Sequence, residues 1–363
     1  MVAVEYDVVV VGGGHNGLVA AAYLARAGRK TLVLEGREMV GGCAVTEEVW
    51  PGFRVSTAAY LASLMQERVI RELDLHKYGY SVDPKDPAFF SPFPDGRYMF
   101  MWQDRARTLA EVAKFSSRDA ERYPAYEEHL ERLSQIVEGL LLTPPPPFSP
   151  SGAGALIEYL KLAGRLRGLT ARELTGLIKI FTQSAADFLD DWFESPELKV
   201  TLATDGVIGA NGGPRSAGTA YILLHHCMGG VGGHRGLWGF VRGGMGAVSN
   251  AIADSARAAG ATIRTEAEVA RILVRGGRAR GVVLKSGEEV AAKLVVSNCD
   301  PKRTFLGMLE PGELDGEFLD AIRKFRCEGT SLKINLALRG LPEFTCLPGA
   351  PGPQHGATMH ICP

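Results

Sequence analysis

The chain has 363 residues, 46% hydrophobic and 22% charged, which is enough for two domains with sizeable cores. Its 40 basic and 41 acidic residues leave a formal charge of −1, which excludes a general nucleic-acid binder. The six cysteines are scattered and form neither a C-x-x-C pair nor a disulfide framework, a usage that fits a reducing compartment.

Asp7 to Val11 is a short β-branched run, suited to a parallel strand buried on both faces. It begins within a few residues of Met1 and leaves no room ahead of it for a signal or Arg-rich transit peptide. We therefore expect a bacterial-type cytoplasmic protein. Gly12, Gly14 and Gly17 follow as G-x-G-x-x-G. The first allows a tight turn, the second lets backbone approach a pyrophosphate, and the third lets helix and strand pack closely. Leu18 to Ala27 reads as a helix whose N-terminus offers unpaired N–H groups and partial positive charge to phosphates. His15 and Asn16 face the pyrophosphate side of this loop. Thr31 to Glu35 is the second strand, and Glu35 stands about 20 residues past the glycines, where a carboxylate can hold ribose hydroxyls. Strand, glycine turn, helix, strand and acid in this order point to a bound dinucleotide; the alternative is a βαβ unit that merely packs.

Arg37 and then Gly41-Gly42 narrow the choice of dinucleotide. A basic residue, a short spacer and a Gly-Gly pair just after the ribose acid resemble the flavoprotein pattern, in which they serve the FAD pyrophosphate. The alternative is a plain turn.

Beyond this unit, 80–105 reads as strands and turns, with Ala88 to Pro92 and Arg97 to Trp102 as the strands. Residues 106–142 read as helix, and Thr143-Pro-Pro-Pro-Pro147 as a stiff connector. Leu156 to Phe181 reads as amphipathic helix carrying Lys161, Arg165, Arg167, Arg172 and Lys179. We read these cations as a solvated helix face; the alternative is a basic face resting on a membrane, a peripheral contact that would deliver an apolar substrate. No apolar stretch has spanning length. His225 and His226 read as neighbours on one strand, pointing to opposite faces, so no metal is expected there. Ala247 to Ala259 is a helix. Thr262 to Glu266, Val269 to Val274, Gly281 to Lys285 and Leu294 to Val296 follow as strands of a β-meander, with Ser297-Asn298 at the carboxyl edge where cofactor loops gather. Ser331 to Leu338 reads as a further strand.

Gly12-Gly-Gly-His-Asn-Gly17 through Glu35, with Gly41-Gly-Cys-Ala-Val-Thr-Glu47, resembles the phytoene desaturase-like FAD oxidoreductases. Within them it is most similar to the branch named for a pyridine nucleotide-disulfide oxidoreductase domain. Asp191-Trp-Phe-Glu-Ser195, Tyr221-Ile-Leu-Leu-His-His226 and Trp238-Gly-Phe-Val-Arg-Gly-Gly-Met-Gly246 carry the resemblance through the middle of the chain. The resemblance implies an α/β fold: a Rossmann-like FAD-binding domain in two segments with the β-meander (1–75 and 235–305), and an inserted α+β substrate domain (76–234 and 306–363). It implies FAD as cofactor, a small organic substrate, and hydride transfer to flavin N5. Gly12, Gly14, His15, Asn16, Gly17, Glu35, Arg37, Gly41 and Gly42 would be cofactor residues, and Val269 would lie near the adenine. His225 or His226 would line the substrate side of the flavin; no catalytic base is assigned. Dithiol chemistry is not expected despite the branch name, because Cys43 has no second cysteine within reach. A second glycine-rich flavin motif and terminal helix, implied for the C-terminus, do not occur, so we expect a shortened chain. The alternatives are a flavin amine oxidase and a non-catalytic regulator that keeps the fold. The latter is tied to mitochondrial function in eukaryotic members of the branch, for which the matrix would be the compartment.

Overall fold

The computed structural model describes residues 6–147, 152–349 and 351–361. Cys362, one of the six cysteines, lies outside them. The described residues form two compact units. The first comprises Met1–Asp83, Gly239–Glu328 and Leu332–Ala337; the second comprises Pro84–Trp238, Gly329–Ser331 and Leu338–Pro363. These bounds differ from the sequence division at 75/76, 234/235 and 305/306. The chain leaves the first unit later because Arg242 N–H donates to the Ser81 carbonyl and Gly239 N–H to the Ala62 carbonyl. It stays longer on return because the buried Met308 accepts from Ile272 N–H of the meander.

The first unit is built on a six-stranded sheet. Its order is Thr262–Arg264, Thr31–Leu34, Tyr6–Val11, Glu289–Ser297, Arg278–Leu284 and Val269–Arg275. The first four strands are parallel and the last three form the antiparallel meander. Side chains of the central strands alternate between two cores, as the strand period requires. Val8, Val10 and Val33 pack with Leu18, Ala21 and Ala22 of helix His15–Arg26 and with Ala251 and Ile252 of helix Met245–Ala258. Val9, Val11, Leu32 and Leu34 pack with Val269, Val282 and Leu284 of the meander.

The second unit is mostly helical, with a three-stranded sheet of Phe89–Pro92, Tyr98–Met101 and Thr358–Met359. Helices Arg105–Ala113, Ser117–Leu141, Ala171–Thr182, Ala185–Asp190 and Pro196–Ala203 each start on a Ser, Thr or Asp side chain that accepts a first-turn N–H. Two sequence readings are corrected here. His225 and His226 end a helix, Thr219–His226, not a strand. Its dense contacts with helix Ala171–Thr182 supply a helical environment that the local sequence does not announce. Ser331 to Leu338 is no strand either: Leu332, Ile334 and Leu336 alternate but are exposed, with no neighbouring strand among the described residues to take their backbone. Side chains fix this segment instead, through Lys333 Nζ to the Ser56 and Ala58 carbonyls.

Candidate dinucleotide site

The site begins where the first strand ends. Gly12 sits at φ +94°, a conformation that L side chains rarely adopt, and this turns the chain into helix His15–Arg26. A Cβ on Gly17 would lie 2.4 Å from the Gly12 carbonyl oxygen, so only glycine lets turn and helix close up. The helix caps on Gly14 with no side-chain bond, and its first backbone bond runs from Leu18 N–H to the Gly14 carbonyl. The N–H groups of His15, Asn16 and Gly17 are therefore left free at the positive end of the helix dipole. His15 and Asn16 are exposed there.

The Gly41-Gly42 turn folds back onto this loop. Gly41 N–H donates to the Gly13 carbonyl at 2.8 Å, and Gly14 and Gly41 form an isolated parallel bridge. Glu35, just past the second strand, is held beside the turn. One carboxylate oxygen accepts from Gly13 N–H at 2.8 Å and the other from Arg37 N–H at 2.9 Å. Arg37 pairs with Glu47 at 2.5 Å and is not aimed at the glycines.

Beyond Glu35 opens a cavity of about 490 Å³, walled in part by Gly36, Arg37, Glu266, Glu268 and Lys285. Val269 is 7% exposed and belongs to the core; its neighbour Glu268 and its cross-strand partner Leu284 reach the cavity. The Lys285 ammonium, bonded to Glu268 at 2.9 Å, holds that carboxyl below the usual range, helped by the charge of Arg303.

Asn298 is a residue the sequence reading placed at the right edge without giving it a role. Its backbone N–H donates to the Val11 carbonyl at 2.8 Å, which fixes it under the turn. Its Nδ2 lies 2.8 Å from where a Gly14 Cβ would be, and its Cβ 3.1 Å from where a Gly17 Cβ would be. Its amide has no hydrogen-bond partner among the described residues and is free to meet a ligand in the turn. Cys299 beside it is half-buried, and burial pushes its thiol up, away from the thiolate that redox attack needs. Cys43 is exposed and free.

A dinucleotide fits this arrangement. The open helix end suits a pyrophosphate, Glu35 suits ribose hydroxyls, and the cavity beyond it suits the adenosine end. The structure brings Gly12, Gly14, His15, Asn16, Gly17, Glu35, Gly41 and Gly42 together, with Arg37 turned aside and Val269 beneath.

His225 and His226 belong to the second unit. His226 is packed for structure: Nδ1 donates to the Ile222 carbonyl at 2.8 Å and the ring stacks on Trp238. His225 has a buried Nδ1 with no partner among the described residues, and burial holds its imidazole below its usual pKa. No group of residues that could hold a metal ion occurs among the described residues.

A family model described as flavin containing amine oxidoreductase matches residues 17–343. The chain is 41% identical to pyridine nucleotide-disulfide oxidoreductase domain-containing protein 2 of Rattus norvegicus, over 98% of this chain and 64% of that protein. It is 27% identical to phytoene desaturase (neurosporene-forming) of Cereibacter sphaeroides, over 83% of this chain and 54% of that one. A solved putrescine oxidase bound to putrescine superimposes with a TM-score of 0.56 at 18% identity, covering 88% of this chain and 63% of that one. The chain thus spans 64% of the length of the rat relative. The matched residues make up most of the chain, and the chain belongs to the flavin-containing amine oxidoreductase family, whose cofactor is FAD.

Proposed function

We propose that this chain holds FAD at the glycine turn and oxidises a small organic substrate by removing a hydride from a C–H bond. The start of helix His15–Arg26 carries the reading, because it has no side-chain cap and stands beside both the Glu35 carboxylate and the cavity. Bound flavin would supply the hydride acceptor. The free N–H groups of His15, Asn16 and Gly17 would receive the pyrophosphate. Glu35, fixed by two backbone N–H groups, would keep both carboxylate oxygens oriented toward the ribose.

An apolar substrate is favoured by a row of rings in the second unit. Phe181, Tyr221, His225, His226 and Trp238 follow one another at centroid spacings of 5.0, 6.1, 5.9 and 5.4 Å. His225, unpartnered at Nδ1, and His226, whose Nδ1 donates to the Ile222 carbonyl and leaves Nε2 as an acceptor, are the members able to accept a hydrogen bond. A relative named for a desaturation supports C–H oxidation. Oxidation of an amine C–N bond is the second reading, favoured by the family description.

The test is the visible spectrum of the purified chain, with and without added FAD, followed by anaerobic donor screening. We expect an oxidised-flavin band that survives desalting and is bleached by an alkene-type donor. Bleaching by amines with peroxide release would favour the second reading. A chain that takes up no FAD would overturn both and leave a non-catalytic regulator.

A further inference from the structure

Helices Ala153–Leu166 and Ala171–Thr182 expose what amphipathic helices normally bury. Leu156, Ile157 and Leu160 are 58%, 50% and 61% exposed; Leu174, Ile178 and Phe181 are 50%, 59% and 48% exposed. Their spacings, i, i+1, i+4 and i, i+4, i+7, put each trio on one helix face. The other faces do the holding. Tyr159 Oη donates to the Pro147 carbonyl, and Arg165 to the Gly139 carbonyl and Thr143 Oγ1. Gly176 and Ile180 are buried, and Arg132 pairs with Glu173. A face that merely sits in water does not account for these two apolar rows.

The charge on these two helices is net positive. Residues 153–182 hold five cations (Lys161, Arg165, Arg167, Arg172, Lys179) and two anions (Glu158, Glu173), five minus two giving +3 in a chain of −1 overall. Lys161 pairs with Glu158 and Lys179 with Asp191, whereas Arg167 and Arg172 make no ion pair among the described residues. No described helix is long and apolar enough to cross a membrane.

We propose that this face docks on a membrane surface containing anionic lipid, with both apolar rows at the headgroup–acyl boundary and Arg167 on lipid phosphate. A second copy of the chain is a poorer occupant, because a two-fold contact would set the like charges against each other. The inference stands apart from flavin binding.

The test is co-sedimentation of the full chain with vesicles of phosphatidylcholine, with and without phosphatidylglycerol, at low and high salt. The expected result is binding that needs phosphatidylglycerol and weakens with salt. Arg167→Glu should lower partitioning by about fivefold or more, at roughly 1 kcal/mol per unit charge near the surface. Leu160→Glu with Ile178→Glu should abolish it, while the thermal melt and any flavin band stay as in the parent chain. Absence of sedimentation, equal binding to neutral vesicles, or variants that bind like the parent would each overturn the proposal. So would light scattering that shows a dimer which Leu160→Glu dissolves, since that would make the face a contact between copies.

Discussion

Helix His15–Arg26 and helix Met245–Ala258 both start on a glycine that has no side chain to cap with, yet their ends differ. At the second helix, Ser56 Oγ accepts from Met245 N–H at 3.0 Å and Thr46 Oγ1 from Gly246 N–H at 2.9 Å. Both hydroxyls come from the hairpin of Thr46–Trp50 and Phe53–Ser56. At the first helix no side chain among the described residues does this. Orphaned N–H groups at a helix start are satisfied by something; here one set is satisfied from within the protein and the other is kept for a ligand. Glycine before a helix is thus not in itself an anion site. What distinguishes the site is the absence of a capping hydroxyl together with a carboxylate and a cavity beside the turn.

The largest effect is expected from closing the open end. Gly17→Val would drive side-chain atoms into the Gly12 carbonyl, which a Cβ already approaches to 2.4 Å. Overpacking of this kind costs about 1–3 kcal/mol, and here it lands on the turn that holds the ligand. We expect no flavin band after desalting and a lower thermal midpoint. Retention at parent level would sink the assignment of this turn.

A titration outside both helix ends should follow. Burial holds the buried His360 of the second unit at about 4, against an ordinary 6.5. Its folded pKa is depressed, so the unfolded chain binds more protons between these values. The contribution to stability is complete above pH 6.5 and is lost as pH falls toward 4, by about 3 kcal/mol. Urea unfolding across this window should show the slope, and His360→Gln should flatten it. Thr46→Ala and Ser56→Ala at the closed end should shift the curve without changing its slope, whereas desolvation also lowers the His15 imidazole at the open end, so Gly17→Val can change the slope there.

Asn298→Asp sharpens the comparison by adding an anion to the open end alone. A carboxylate beside Gly14 would repel a pyrophosphate by about 1–2 kcal/mol, roughly tenfold in Kd. Asn298→Ala should weaken FAD less. A fluorescence titration in which aspartate binds FAD as well as asparagine does would remove Asn298 from the site.

The open end was legible in the sequence because its parts are local: strand, glycine turn, helix, strand and Glu35 lie within one short stretch, each with its own signal. The burial of Val8 to Val11 on both faces of the sheet follows from the same run. What escaped was non-local. The caps of helix Met245–Ala258 come from residues 189 and 200 positions away. Asn298 meets Gly14 only because its strand pairs in parallel with the first. The cavity walls Glu266 and Lys285 are assembled by the meander. Alternation misled at Ser331 to Leu338, where no strand partner is present among the described residues, and the strand reading failed at His225, where packing against helix Ala171–Thr182 decided for helix. At the basic helices the cations were visible, while the outward turn of the apolar rows beside them was not, since it depends on which face helix Ser117–Leu141 takes up.

The smallest effects should come from the closed end, and they test whether the two ends are independent. Thr46→Ala and Ser56→Ala each remove one capping hydroxyl, worth about 1 kcal/mol of stability. Thr46 and Ser56 also face each other at 3.5 Å, so the double variant should cost less than the sum of the two. Neither hydroxyl bonds to the glycine turn, so FAD affinity should stay within about twofold of the parent, well under 1.4 kcal/mol. Urea unfolding supplies the first measurement and flavin titration the second. Loss of flavin in Thr46→Ala without loss of stability would mean that this helix end, too, is part of the cofactor site, with its N–H groups shared between hydroxyl and ligand.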